Sequence, residues 1–262
     1  MNVIENRVVQ AFREGRTAFG IYLSTGSAKV IELLGFAGLD FVRIDLEGSF
    51  PTSETIAHLI HASHAVGITP FVRVPEPMDI GFVHQIINLG AMGIIIPRVG
   101  SRAQAEEAVR AIKAPPLGQR KVRSDSIVGG YGLVERGDFA AWSNEHIVLA
   151  AQIETKAAIE RLDEIVSVPG LDMLISGRND LSISYGMPGQ QFAAPVLEAE
   201  RRMVEAGRKA GKITSVTYFP LRGGDQLDRI RTRMREGVTC VTFGSDNDLG
   251  YAFKLAREAL VS

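Results

Sequence analysis

The 262 residues carry a formal net charge of -1, with 45% hydrophobic and 23% charged residues, so the chain can bury a core and is neither disordered nor fibrous. No global positive field exists to gather nucleic acid or anionic lipid, and no stretch nears the ~18 uninterrupted apolar residues of a membrane span. A small-molecule partner is therefore expected, with no nucleic acid and no membrane. Cys240 is the only cysteine, which excludes an intrachain disulfide and points to a reducing compartment, the cytoplasm.

Short apolar runs alternate with amphipathic stretches of helical length. The expected strands are "AFGIYLS" (18 to 24), "FVRID" (41 to 45), "TPFVRV" (69 to 74), "GIIIP" (93 to 97), "IVLAAQIE" (147 to 154), "MLISG" (173 to 177), "ITSVTY" (213 to 218) and "CVTFGS" (240 to 245). Helical patterns such as "SETIAHLIHASHAVG" and "LDRIRTRMREG" lie between them and end at glycine, a common helix terminator. Eight β–α cycles over this length predict an α/β fold, a single (β/α)8 TIM barrel occupying residues 1–262. A doubly wound open sheet is the structural alternative. Against it, "STGSAK" after the first strand offers one glycine where a dinucleotide fold needs G-x-G-x-x-G.

One segment breaks the rhythm. Residues 113–146 form an insert far longer than a usual helix-to-strand connection, leaving from the bottom of the barrel but long enough to climb toward the other face or a neighbouring subunit.

In such a barrel the active site forms where strands end, so polar residues there carry the information. The second strand ends in Asp45 with Glu47 beyond it, the third carries Arg73, the fifth ends in Gln152 and Glu154, and the sixth runs through "SGRNDLS" to Asp180. Any one of them has a bland explanation: Asp180 as a helix cap, Asp45 as an ion-pair partner of Arg73. Four carboxylates and an arginine spread over four strand ends weaken that explanation, because a carboxylate in an apolar strand is costly unless paired or bound to a cation. Oxygen donors with room for water suit Mg²⁺ or Mn²⁺ better than zinc. His58, His61 and His64 sit mid-helix, away from any strand end, and are expected on a solvated or interfacial face.

The segments "FVRIDLEG", "FVRVP", "LGAMGIIIPRV", "PPLGQR", "AQIETKAAIERLDEI" and "LDMLISGRNDLSISYG" together resemble the HpcH/HpaI aldolase and citrate lyase superfamily, specifically its metal-dependent 2-oxo-acid aldolase branch. The likeness spans about residues 16 to 250. It implies a class II pyruvate-type aldolase, a carbon–carbon lyase acting on a 2-oxo acid and an aldehyde, in a homo-oligomer (trimer or hexamer) with the last helix exchanged between subunits. Under that resemblance Glu154 and Asp180 hold the divalent ion, and Arg73, Gln152, Gly177 and Asn179 meet the 2-oxo acid.

Three positions depart from the pattern. Gly48 stands where the branch usually has a histidine that pairs with the aspartate and moves the aldol proton, which leaves metal-bound water, Asp45 or Glu47 as proton carriers. Arg178 replaces a usual proline and Lys121 a usual glycine, adding positive charge that points to a bulkier or more acidic substrate. Two alternatives remain open at this level: an acyl-CoA lyase or oxaloacetate-type decarboxylase of the same superfamily, and a non-catalytic ligand-binding relative.

Overall fold

The computed structural model describes residues 4–49, 51–222 and 224–261. Eight parallel strands, β1 (Ala18–Leu23), β2 (Phe41–Asp45), β3 (Thr69–Arg73), β4 (Gly93–Ile96), β5 (Val148–Ile153), β6 (Met173–Ser176), β7 (Ile213–Thr217) and β8 (Cys240–Ser245), close in sequence order into a barrel. The (β/α)8 expectation therefore holds. Six of the eight strands stop one residue or so short of the apolar run in the sequence, because the last residue already turns toward the loop.

Alternation along the strands produces two cores. Val42, Ile44, Val72, Ile94, Leu149, Ala151, Leu174 and Val241 point outward and pack against the surrounding helices. Phe41, Phe71, Ile95, Ala150, Ile175 and Cys240 point inward, and Val8, Val9 and Ala11 of the helix Arg7–Arg13 close the lower end of this inner core. A methyl group at Gly93 would overlap the Phe71 ring, so glycine is what lets the inner aromatics lie flat across the barrel. Arg43 is on the inward face too, two residues below Asp45, and is fully buried.

The insert stays at the bottom and does not climb. Lys113 Nζ donates to the carbonyls of Asn144 (2.9 Å) and Ile147 (2.8 Å) and pairs with Asp172 at 2.6 Å. Val128, Phe139 and Trp142 pack with Met92, just ahead of β4. Lys121 is exposed and is not among the residues lining the pocket described below, which corrects the expectation that it adds charge to the substrate site of its own chain.

Among the described residues no helix is long and apolar enough to cross a membrane. The final helix, Asp248–Val261, exposes Leu249, Tyr251, Phe253, Leu255, Leu260 and Val261, and within the chain it packs chiefly on the short turn Pro220–Arg222.

Candidate active site

A cavity of about 330 Å³ opens at the C-terminal ends of the strands, lined by residues including Tyr22, Asp45, Arg73, Gln152, Gly177, Arg178, Asn179 and Asp180. Seven of the residues singled out from sequence line this cavity, and two more, Glu47 and Glu154, touch the lining through Arg73 and Gln152. Strand parity is the reason: Asp45 and Arg73 are the last residues of β2 and β3 and Gln152 the last but one of β5, all on the inward face.

Asp45 and Arg73 are register partners on β2 and β3 and form a two-pronged ion pair, Arg73 Nε to Asp45 Oδ1 at 2.9 Å and Nη2 to Oδ2 at 2.8 Å. Arg73 Nη1 meets Glu47 at 2.6 Å. Burial alone would lower the Arg73 guanidinium, yet the Asp45 hydrogen bonds and the charges of Asp45 and Glu47 hold it above the ordinary arginine value. Glu47 moves the other way: burial raises its carboxyl, and Asp45 and Asp180 add to the rise against the pull of Arg73.

Glu154 sits just past β5 and is 3% exposed. Its Oε1 accepts the backbone amide of Arg98 at 2.7 Å, and its Oε2 accepts from Gln152 Nε2. Arg98 adopts a positive φ of 52°, a costly conformation for arginine that aims this amide at the carboxylate. Sequence reasoning missed Arg98, because its contribution is a backbone group. No lysine or arginine side chain pairs with Glu154 among the described residues, so burial raises its carboxyl and Asp180 and Glu47 raise it further. A buried carboxylate lacking a cation, with a second carboxylate acting on it across the cavity, is a donor set that fits a hard divalent ion. Among the described residues no group of three or more His, Cys, Asp or Glu converges on one point, so most positions around such an ion fall to water and substrate.

Asp180 lies in the first turn of the helix Arg178–Ser184, whose cap is Gly177; the cap explanation for Asp180 is thereby removed. A Cβ at Gly177 would lie 2.5 Å from both Glu154 Cβ and Oε2, so glycine is required for β6 to pass this close to the carboxylate. Three buried polar atoms of the lining residues have no partner, Gln152 Oε1, Ser176 Oγ and Arg178 Nη1. Ser176 was not foreseen; its position one residue before the Gly177 turn was the available signal.

Arg178 lines the cavity but brings it little net charge. Its Nε pairs with fully buried Glu200 at 3.2 Å, its Nη2 donates to the Thr217 carbonyl, and its guanidinium carbon lies 4.0 Å from the Tyr218 ring centre. Gly48 is exposed, and a Cβ there would meet only Asp45 Oδ2, at 3.4 Å, leaving open space beside the Asp45–Arg73 pair. The histidines stay outside the site. His58 and His61 are exposed, whereas His64 bonds the Gly90 carbonyl at 2.8 Å.

Comparison with known proteins agrees with the barrel fold. The profile of the HpcH/HpaI aldolase/citrate lyase family matches residues 18–251. A 2-keto-3-deoxy-L-rhamnonate aldolase of Salmonella gallinarum is 31% identical, covering 80% of this chain and 78% of its own. A hydroxypyruvate/pyruvate aldolase of Roseobacter denitrificans is 32% identical, covering 80% and 83%. The crystal structure of an HpcH/HpaI aldolase from Desulfitobacterium hafniense superposes with a TM-score of 0.88 at 26% identity, covering 96% of this chain and 95% of the other.

Proposed function

The chain belongs to the HpcH/HpaI aldolase/citrate lyase family and is a carbon–carbon lyase of the aldolase type, and from that premise we propose that it joins or cleaves pyruvate-type 2-oxo acids and aldehydes at the cavity just described. The observation that carries the reading is the pairing of Glu154, buried without a cationic partner, with Asp180, across from Arg73.

Glu154 and Asp180 would hold a divalent ion, Mg²⁺ or Mn²⁺ by their all-oxygen chemistry. Bound there, it supplies Lewis acidity toward the oxygens of the 2-oxo acid. The remaining work falls to the chain. Arg73, locked by Asp45 and Glu47, presents a fixed cation toward the oxygen on which charge develops as the C–C bond forms or breaks, the placement at which electrostatic stabilisation acts most strongly. Gln152 Oε1 and Ser176 Oγ, buried and unpartnered, orient polar groups of the substrate. The turn Gly177–Asn179 opens a helix whose first amides lack intrahelical acceptors and suit the substrate carboxylate. Arg178, neutralised by Glu200, shapes this floor without adding to its charge.

Ser24, Gln191, Arg222 and Asn247 line the far end of the cavity, which fits a hydroxylated aldehyde. The exposed apolar face of Asp248–Val261 supports a homo-oligomer, trimer or hexamer, in which a second copy covers that helix. We assign all of residues 1–262 to one barrel domain with its insert at 113–146. Cytoplasmic placement rests on Cys240, a buried free thiol in a chain without disulfides.

The test is incubation of Mg²⁺- or Mn²⁺-loaded protein with pyruvate in heavy water. Deuterium entering the methyl group is the expected result, and a methyl group that stays fully protonated with either metal would refute the reading.

A further inference from the structure

Arg43 presents an unusual situation. It is 0% exposed in the middle of the barrel, and among the described residues no carboxylate lies within ion-pairing distance of it. A buried cation without an anion is expensive, by several kcal/mol in general. Its Nη2 donates to Ser215 Oγ, its Nε has no partner, and its Nη1 donates to the Tyr22 hydroxyl at 3.3 Å. Cys240, nearby in the same layer, gives no counter-charge, because burial pushes its thiol up.

Tyr22 is the register partner of Arg43, one residue before the end of β1, half-buried and on the wall of the cavity. The guanidinium carbons of Arg43 and Arg73 lie 5.3 Å and 5.2 Å from its ring centre, so two cations flank one phenol. The other proton carriers near this spot are engaged: Asp45 by both oxygens and Glu47 by one, all on Arg73. Gly48 supplies no imidazole.

Resting on the aldolase reading, we infer that Tyr22 is the acid–base residue for the aldol hydroxyl, with Arg43 as its positioning residue. Tyrosine is among the side chains able to move a proton in a reacting complex. In the addition direction the carbanionic carbon of the 2-oxo acid attacks the aldehyde carbon, and the carbonyl electron pair moves onto oxygen. That oxygen takes the phenolic proton of Tyr22. The phenolate so formed faces Arg43 and Arg73 and regains a proton from water in the cavity. Cleavage runs the same path backward: the phenolate takes the hydroxyl proton, the C–C bond breaks with its electron pair remaining on the 2-oxo acid fragment, and the aldehyde carbonyl forms. Exchange of the pyruvate methyl protons involves no aldol hydroxyl and does not need Tyr22.

The experiment compares wild type, Tyr22→Phe and Arg43→Met, each loaded with Mn²⁺, in two assays. One follows cleavage of whichever 4-hydroxy-2-oxo acid the wild type cleaves fastest; the other follows deuterium entry into pyruvate. Tyr22→Phe is expected to lower cleavage by about 10²-fold or more while leaving exchange within about threefold of wild type, the span typical of losing one acid–base group. Arg43→Met is expected to lower cleavage selectively in the same direction. Unchanged cleavage in Tyr22→Phe overturns the inference, and so does equal loss of both activities, which would mark a structural role. A wild type that shows no exchange sinks the underlying aldolase reading instead, so the two failures are separable.

Discussion

Arg73 grips Asp45 through both carboxylate oxygens, at 2.9 Å and 2.8 Å, and the pair spans adjacent strands at the rim of the barrel. The third prong of the guanidinium reaches Glu47. Lysine carries one nitrogen and cannot reproduce this fork. Arg73→Lys is therefore expected to lower kcat/KM for the 2-oxo acid by about 10²-fold, within the range seen when a hydrogen-bonded charge pair loses its geometry. Steady-state kinetics check this. Retention of full activity would show that any cation serves.

The Glu154 carboxylate is buried without a cationic side chain beside it, and the fold of β6 brings Gly177 against it. Glu154→Gln removes the unpaired charge. It should make the metal-free protein more stable while abolishing the rise in Tm expected of the wild type with Mn²⁺. That rise corresponds to about 2.7 kcal/mol at a hundredfold excess over Kd. Gly177→Ala should also lose metal affinity, since the added methyl displaces the Glu154 side chain, and destabilise by about 1–3 kcal/mol as overpacking does. Thermal melts with and without Mn²⁺ separate the two effects: only the glutamine variant gains stability without metal.

Strand ends were readable from the sequence because each is an apolar run closed by a polar residue, and eight such runs leave few folds available. The gathering of Asp45, Arg73, Gln152 and Asp180 followed from the same rule. Arg43 and Tyr22 were passed over although a signal existed: residues two apart in a strand share a face, so an inward Asp45 requires an inward Arg43. Other misreadings had no local signal. The neutralisation of Arg178 depends on Glu200, which belongs to the separate helix Ala194–Lys209, and the location of Lys121 depends on how the insert packs. Those are tertiary outcomes that no pattern within either segment encodes.

Glu200 is fully buried between two guanidinium groups, Arg178 Nε at 3.2 Å and Arg233 Nε at 3.2 Å, with the Tyr218 hydroxyl at 3.3 Å. Glu200→Gln leaves two cations facing a neutral amide in a dry site. Breaking such a pair from one side costs about 3–5 kcal/mol. A urea titration is expected to show a lower midpoint with unchanged slope. Because Arg178 also forms part of the cavity floor, the loss of cleavage should appear well below the denaturant concentration at which the fold is lost.

His64 predicts how stability varies with pH. Its Nε2 faces the Gly90 carbonyl at 2.8 Å and so carries the proton, while Nδ1 is buried without a partner. Burial lowers this imidazole below its ordinary value, with the Gly90 bond opposing and His61 assisting. The folded protein thus binds the second proton less readily than the unfolded chain, so the stabilising difference is present above the unfolded value of about 6.5 and is lost as pH falls through the folded value. Urea midpoints of wild type should drop between neutral pH and pH ~5 by more than those of His64→Gln. Parallel curves for the two proteins would mean that His64 plays no part.

Gly48 leaves space beside Asp45 where a side chain meets no backbone, and its conformation is one that other residues adopt readily. A histidine placed there can accept support from Asp45 Oδ2 and reach over the same cavity that Tyr22 borders. Gly48→His alone competes with an intact Tyr22 and should alter the pH profile of cleavage more than its maximal rate. In the Tyr22→Phe background the imidazole takes over an otherwise missing function, and cleavage is expected to recover by about tenfold or more, a modest share of what one acid–base group contributes. Methyl exchange should stay level across all four proteins. If the double variant cleaves no faster than Tyr22→Phe while its exchange is intact, position 48 does not reach the aldol oxygen, and the substitution of phenol for imidazole is not an exchange of equivalent parts.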